Sequence, residues 1–165
     1  MRMLAEHPSD KGIMPIETFA NRLLCALVAG IIIGVERQLR HRSAGLAVNA
    51  LVSVGACIFI LLSESIIQAS MQNGGLVNND NLRVLSQVVT GVGFLGAGVI
   101  MKDGFSIHGL NSAATIWCSA AVGCLCGFGM WRQAAISIAV ILFINWILKN
   151  IECMVEKKNR TNKEN

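Results

Sequence analysis

The residues most ready for chemistry are the glycines of "GVGFLG", residues 91 to 96, a G-x-G-x-x-G of the spacing that lets backbone approach a pyrophosphate. That fingerprint needs a strand before it, a helix after it and an acid ~20 residues on for the ribose. "RVLSQVV" would pass as the strand, but after Asp103 the next acid is Glu152. The spacing serves something else. Cysteine is the second candidate, at positions 25, 57, 118, 124, 126 and 153. Residues two apart on a helix point ~200° apart, so Cys124 and Cys126 cannot share a metal. His7, His41 and His108 form no ligand or triad spacing. No nucleophile stands beside a base, so an enzyme is not expected, nor a metal, a cofactor or a nucleic-acid partner.

The elements that carry these residues are apolar. The 165 residues are 53% hydrophobic and 15% charged, with mean hydropathy +0.56 and no Tyr. Soluble domains carry about a quarter charged residues, and a small globule cannot hide so much apolar surface from water. A bilayer can. Crossing ~30 Å of hydrocarbon takes ~20 residues of helix, and five stretches approach that length: Ile16–Val35, Leu46–Ile67, Val84–Met101, Gly109–Phe128 and Trp131–Leu148. Helices are required because unpaired backbone groups in lipid cost several kcal/mol each. The expected fold is all-α, an integral membrane bundle of five transmembrane helices over residues 16–150. An extracytoplasmic tail (1–15) precedes it and a polar cytoplasmic tail (151–165) follows. The opening "MRMLAEHPSDKGIMPIE" mixes charges and Pro before any long apolar run, and reads as a tail and not a cleavable signal.

Orientation follows the basic residues of the short links. Arg37, Arg40, Arg42, Lys102, Lys149, Lys157, Lys158, Arg160 and Lys163 share one side; Arg2, Lys11, Arg22, Arg83 and Arg132 fall on the other or at its boundary. The majority side is cytoplasmic, which places the C-terminus inside and the N-terminus outside.

Within this frame the glycines gain a different role. On a helix Gly91 and Gly98 share one face, while Gly93, Gly96 and Ala97 share the opposite one. Small residues let membrane helices approach closely, so the third span is expected between two neighbours.

Polar residues inside the spans are costly in lipid and therefore informative. Asn111, Thr115 and Cys118 fall on one stripe of the fourth span, with Ser112 and Ser119 beside it. Asn49, Ser53, Cys57 and Glu64 occupy one quadrant of the second span, and Gln87 shares the face of Gly91. Two readings stand: hydrogen bonding between the chain's own helices, or a polar seam that meets a partner's helix or a small ion. Glu36 and Arg22 lie on nearly one face, ~21 Å apart along the helix. One of them must snorkel or sit inside the bundle. Glu36 has a basic residue of the adjoining link as its simplest partner, and a role in gating or in binding a cation or partner as the alternative.

"AGIIIGVERQLRHRSAGL", "QVVTGVGFLGAGVIMKDG" and "HGLNSAATIWCSAAVGCLCGFG" resemble the signature segments of the MgtC/SapB family, the last of them its MgtC branch in particular. The resemblance covers roughly residues 20 to 150. It implies a five-span inner-membrane protein with its C-terminus inside, one that supports growth at low magnesium and survival in host macrophages (virulence). Such proteins are thought to act by binding other membrane proteins, the ATP synthase being the suspected partner, and not by carrying magnesium. The resemblance assigns functional weight to Asn111, to Cys118 and to the acid of the preceding link, here Asp103 where the family usually has Glu. Ala47-Val48 stand where the family usually has Arg-Thr, and long members of the branch continue into a soluble C-terminal domain. The reading is thus a regulator working by helix contact, with the stripe of Asn111, Thr115 and Cys118 as contact surface and Asp103 and Glu36 at its cytoplasmic end. A homo-oligomer is compatible with it. The rival is a small transporter or channel for ions or solutes, magnesium among them.

Overall fold

A computed structural model describes residues 14–72 and 81–161, with side chains described over 14–71 and 82–147. Most of the expected N-terminal tail, the link at 73–80 and the side chains of the C-terminal tail lie outside those residues, including five of the nine basic residues assigned to the cytoplasmic side.

Five helices follow in chain order: α1 (Ile16–Leu39), α2 (Leu46–Gln72), α3 (Asn81–Val99), α4 (Leu110–Gly127) and α5 (Trp131–Thr161). The first four are long and apolar enough to cross a membrane, and the apolar part of α5, Trp131–Ile147, is slightly shorter. Seventeen residues of helix still cover about 26 Å. The architecture is an all-α bundle that fits a multi-pass membrane protein.

The apolar runs located the helices but not their ends. α1 and α2 continue beyond the apolar stretches to Leu39 and Gln72, and α5 runs on to Thr161, into the stretch expected as a polar tail. α1 begins after Pro15, with Glu17 in its first turn complementing the helix dipole. It ends in a Schellman turn: His41 takes the left-handed conformation (φ 51°), its N–H donates to the Gln38 carbonyl, and the Arg42 N–H donates to that of Arg37.

The link before α4 holds an element the sequence reading lacked. Met101–Asp103 (β1) pairs antiparallel with Ser106–His108 (β2), Asp103 opposite Ser106. The two-residue loop between them opens on Gly104 at φ 57°, which primed hairpin turns favour. Gly109 (φ 90°) then starts α4; a Cβ there would strike the Val99 carbonyl, so the hairpin is folded hard against the end of α3.

α4 packs against all four other helices. With α1 and α2 it forms a tight triple. A Cβ at Gly30 would lie 2.7 Å from the Ala50 Cα and one at Gly34 2.6 Å from the Leu46 Cα. One at Gly123 would land on the Ser53 carbonyl. No side chain fits at such approaches. Two apolar clusters fill the bundle: Ala26, Ala29, Ile33, Leu61 and Val122 on one side, and Ala56, Ile60, Val88, Val92, Ile116 and Ala120 on the other.

The expected sandwich around the third span is not found within one chain. α3 packs on α2 and α4, and among the described residues a Cβ at Gly91, Gly93 or Gly98 would meet nothing within 4 Å. Gly96 alone faces a neighbour, with Ala113 Cβ at 3.6 Å, an ordinary contact. Four glycines on one helix suggested close packing, but small residues permit close approach without requiring it.

Candidate functional site

The buried face of α1 runs Ala26, Ala29, Gly30, Ile33, Gly34, Arg37, a continuous i, i+3, i+4 series. Arg37 therefore turns inward with the small residues before it and is 2% exposed. A buried guanidinium is costly unless it is hydrogen-bonded, and α4 supplies the acceptors. Arg37 Nη1 donates to Asn111 Oδ1 (3.1 Å) and Nη2 to Ser112 Oγ (3.1 Å), while Ser43 Oγ, from the α1–α2 link, bonds Ser112 Oγ (3.1 Å). Arg37 Nε has no hydrogen-bond partner among the described residues. This clasp ties α1, the link and the first turn of α4 together.

Glu36, next to it, faces α5. It is ion-paired with Arg40 one turn on and accepts from Asn145 Nδ2 (3.2 Å), and Arg40 Nη1 donates to the Asn145 carbonyl (2.9 Å). The expected pairing of Glu36 with a basic residue of the link is met by Arg40.

Deeper in the bundle the polar quadrant of α2 is used completely. Asn49 Nδ2 donates to the Ala44 and Gly45 carbonyls (3.0 and 2.8 Å), and its Oδ1 accepts from Ser119 Oγ (2.8 Å). Ser53 Oγ donates to the Ala26 carbonyl (2.8 Å), and Cys57 Sγ to that of Arg22 (3.7 Å). At the far end Arg22 Nη1 donates to Glu64 Oε2 (2.6 Å) and to the Gly127 carbonyl (2.7 Å). Arg22 and Glu36 are thus both held by other helices, at opposite ends of α1.

The stripe read on the fourth span divides. Asn111 joins the Arg37 clasp. Thr115 is buried and donates back to the Asn111 carbonyl of its own helix (2.8 Å). Cys118 is half-buried and makes no hydrogen bond among the described residues; Trp117 beside it is 49% exposed. Asp103 lies exposed on β1 and, among the described residues, takes no part in the clasp. The bonds between helices are made by Asn111 with Ser112 and Ser119, the residues flanking the stripe, and not by Thr115 or Cys118. Among the described residues no three His, Cys, Asp or Glu side chains form a group that could hold a metal.

Arg37, Ser43 and Asn145 emerge as site residues that sequence reasoning did not single out, whereas Ser112 was placed beside the stripe. Arg37 sits in "ERQLRHR", where it reads as one of a run of solvated link charges. The signal was present: it continues the spacing of Gly30, Ile33 and Gly34 by one turn.

Two grooves flank α3. One of about 420 Å³, between α2 and α3, is lined by Leu51, Gly55, Phe59, Gln87 and Gly91; the other, about 440 Å³, lies between α3 and α4 beside Trp117 and Phe128. Both are apolar and neither reaches the clasp.

The MgtC family model matches residues 23–154, which hold α2, α3 and α4 whole and most of α1 and α5. Protein MgtC of Brucella abortus is 45% identical over 144 residues, covering 86% of this chain and 56% of that protein. Protein MgtC of Salmonella typhimurium is 47% identical over 127 residues, covering 77% and 51%. The chain thus spans about half the length of these relatives. No solved structure matches it. The matched region carries the Arg37 clasp, the Glu36–Arg40 ion pair and the whole of α4, and on this coverage and identity the chain belongs to the MgtC family.

Proposed function

We propose that this chain is an MgtC-like regulatory protein of the bacterial inner membrane, supporting adaptation to low magnesium and survival inside host cells. It acts without catalysis, by helix contact with another membrane protein, and the membrane sector of the ATP synthase is the suspected partner. Its N-terminus lies outside and its C-terminus in the cytoplasm. The observation that carries this reading is the placing of Asn111 and Cys118 on one helix that touches every other. Asn111 fixes the first turn of α4 through Arg37. Cys118, two turns on, reaches the surface beside Trp117. A partner helix seated at Cys118 therefore bears on the helix whose orientation the Arg37 clasp sets.

The polar seam serves this role by keeping α4 in one register. Hydrogen bonds across membrane helices contribute about 0.6–2 kcal/mol each, and α4 makes them to α1, to the link and to α2. The test pairs abundance with function. Cys118→Ala removes little volume and should cost on the order of 1 kcal/mol, so the variant is expected at near-parent levels in membrane fractions. Growth in low-magnesium medium is expected to fail. Normal growth of a well-expressed Asn111→Ala, Cys118→Ala double variant would remove both residues from the mechanism.

A further inference from the structure

Cys25 on α1 and Cys126 on α4 bring their sulfur atoms to 3.6 Å, although 101 residues separate them in sequence. We propose that this pair is a redox-modifiable dithiol, closed to a disulfide by a small hydroperoxide such as hydrogen peroxide, which fastens α1 covalently to α4.

The two thiols differ in a way that orders the chemistry. Cys25 is half-buried, between the outward-facing Leu24 and Val28 on its helix, and is the thiol an uncharged oxidant reaches. Cys126 is fully buried and already in contact with it. The Cys25 sulfur attacks one peroxide oxygen and the O–O bond breaks. Cys25 becomes the sulfenic acid and one water leaves. The Cys126 sulfur then attacks the Cys25 sulfur. The S–O bond breaks, and the hydroxyl departs with the Cys126 proton as a second water. Two thiols are oxidised and one peroxide is reduced to two waters. The contact of the two sulfurs places the second nucleophile beside the sulfenic acid as it forms.

Cys57 shares the apolar cluster of Cys25 and Cys126, but its thiol donates to the Arg22 carbonyl, whereas Cys124 packs in the opposite apolar cluster with Ala56 and Ile116. The bridge would sit one turn from Arg22, whose guanidinium already holds Glu64 and the Gly127 carbonyl. It would close a loop of about 100 residues, the length at which a cross-link restricts the unfolded chain strongly. With the Arg37 clasp at one end of α4 and the bridge at the other, α4 would be fixed to α1 at both ends.

The experiment uses the full chain, purified with reductant and then freed of it, treated with hydrogen peroxide, quenched and examined by intact mass and peptide mapping. The oxidised chain should be lighter by about 2 Da, the two thiol hydrogens, with the Cys25 and Cys126 peptides joined. Free thiols should fall by two of the six, and a phosphine reductant should restore them. The thermal midpoint should rise on oxidation. Cys25→Ser should abolish the mass loss, whereas Cys118→Ala should retain it. The proposal is overturned if Cys25 is found only as a higher oxide, if the thiol titre does not change, or if the mass loss survives in folded Cys25→Ser. Should Cys126→Ser fail to fold, the Cys25→Ser result decides alone.

Discussion

Glycines serve the two flanks of this bundle in opposite ways. In the triple of α1, α2 and α4, Gly30, Gly34, Gly123 and Gly127 lie where an added Cβ would strike a neighbouring helix. On α3, Gly91, Gly93 and Gly98 face open space, although their spacing is the more conspicuous in the sequence. The polar groups follow the same division. Every hydrogen bond between helices that involves Asn49, Ser53, Arg22, Arg37 or Ser119 lies within the triple. On α3, Ser86 and Thr90 bond only to carbonyls of their own helix. Within the triple, close approach and polar bonding therefore occur together, because backbones brought near by glycine put short Ser and Asn side chains within reach of the facing helix; the long Glu36 and Arg40 side chains reach α5 without it.

The largest effect that tests this contrast is expected at Gly123. Even Gly123→Ala places a methyl on the Ser53 carbonyl; overpacking of this kind costs about 1–3 kcal/mol, and Gly123→Leu should remove the chain from membrane fractions. Arg37→Met comes next. It strips Asn111 of its donor, while Ser112 keeps Ser43; a group left unpaired inside the bundle costs about 1–3 kcal/mol, which should appear as a lowered thermal midpoint in detergent. Glu64→Gln is milder: Arg22 keeps the Gly127 carbonyl, and a partly exposed pair contributes about 1 kcal/mol or less. Gly93→Leu should change stability least, by less than about 0.5 kcal/mol. A large destabilisation by Gly93→Leu would break the comparison, and would show that α3 packs closely against something besides this chain's own helices.

Much of this bundle is legible before any coordinates. Apolar runs locate all five helices, because lipid demands internal backbone pairing and leaves little choice of element. The quadrant of Asn49, Ser53, Cys57 and Glu64 is legible too, and all four residues engage other parts of the bundle as shared periodicity implies. Helix direction toward a particular neighbour is not legible. The same small-residue pattern marks the tight face of α1 and the open faces of α3, and only the number of helices around each decides between them. Arg37 was obscured by its company: three arginines and a histidine within seven residues read as solvated charge, while one of them continues the buried face. Asp103-Gly104 signals a hairpin, but so short a link gives the period-2 pattern no room to show. Asn111, Thr115 and Cys118 share one stripe of the helical wheel, yet its middle residue turns to its own backbone and its ends serve different surroundings.

The proposed partner contact lies where α4, held inside by the Arg37 clasp, brings Cys118 to the surface. Site-specific photo-cross-linking in native membranes tests this most directly, with the probe at position 118 in one chain and at position 94 in another. Phe94 is 81% exposed on α3 and serves as the comparison. A light-dependent adduct with a second membrane protein is expected from position 118, with a much lower yield from position 94. No protein adduct from a well-expressed 118 probe, or the same adduct in equal yield from position 94, would contradict the proposed contact.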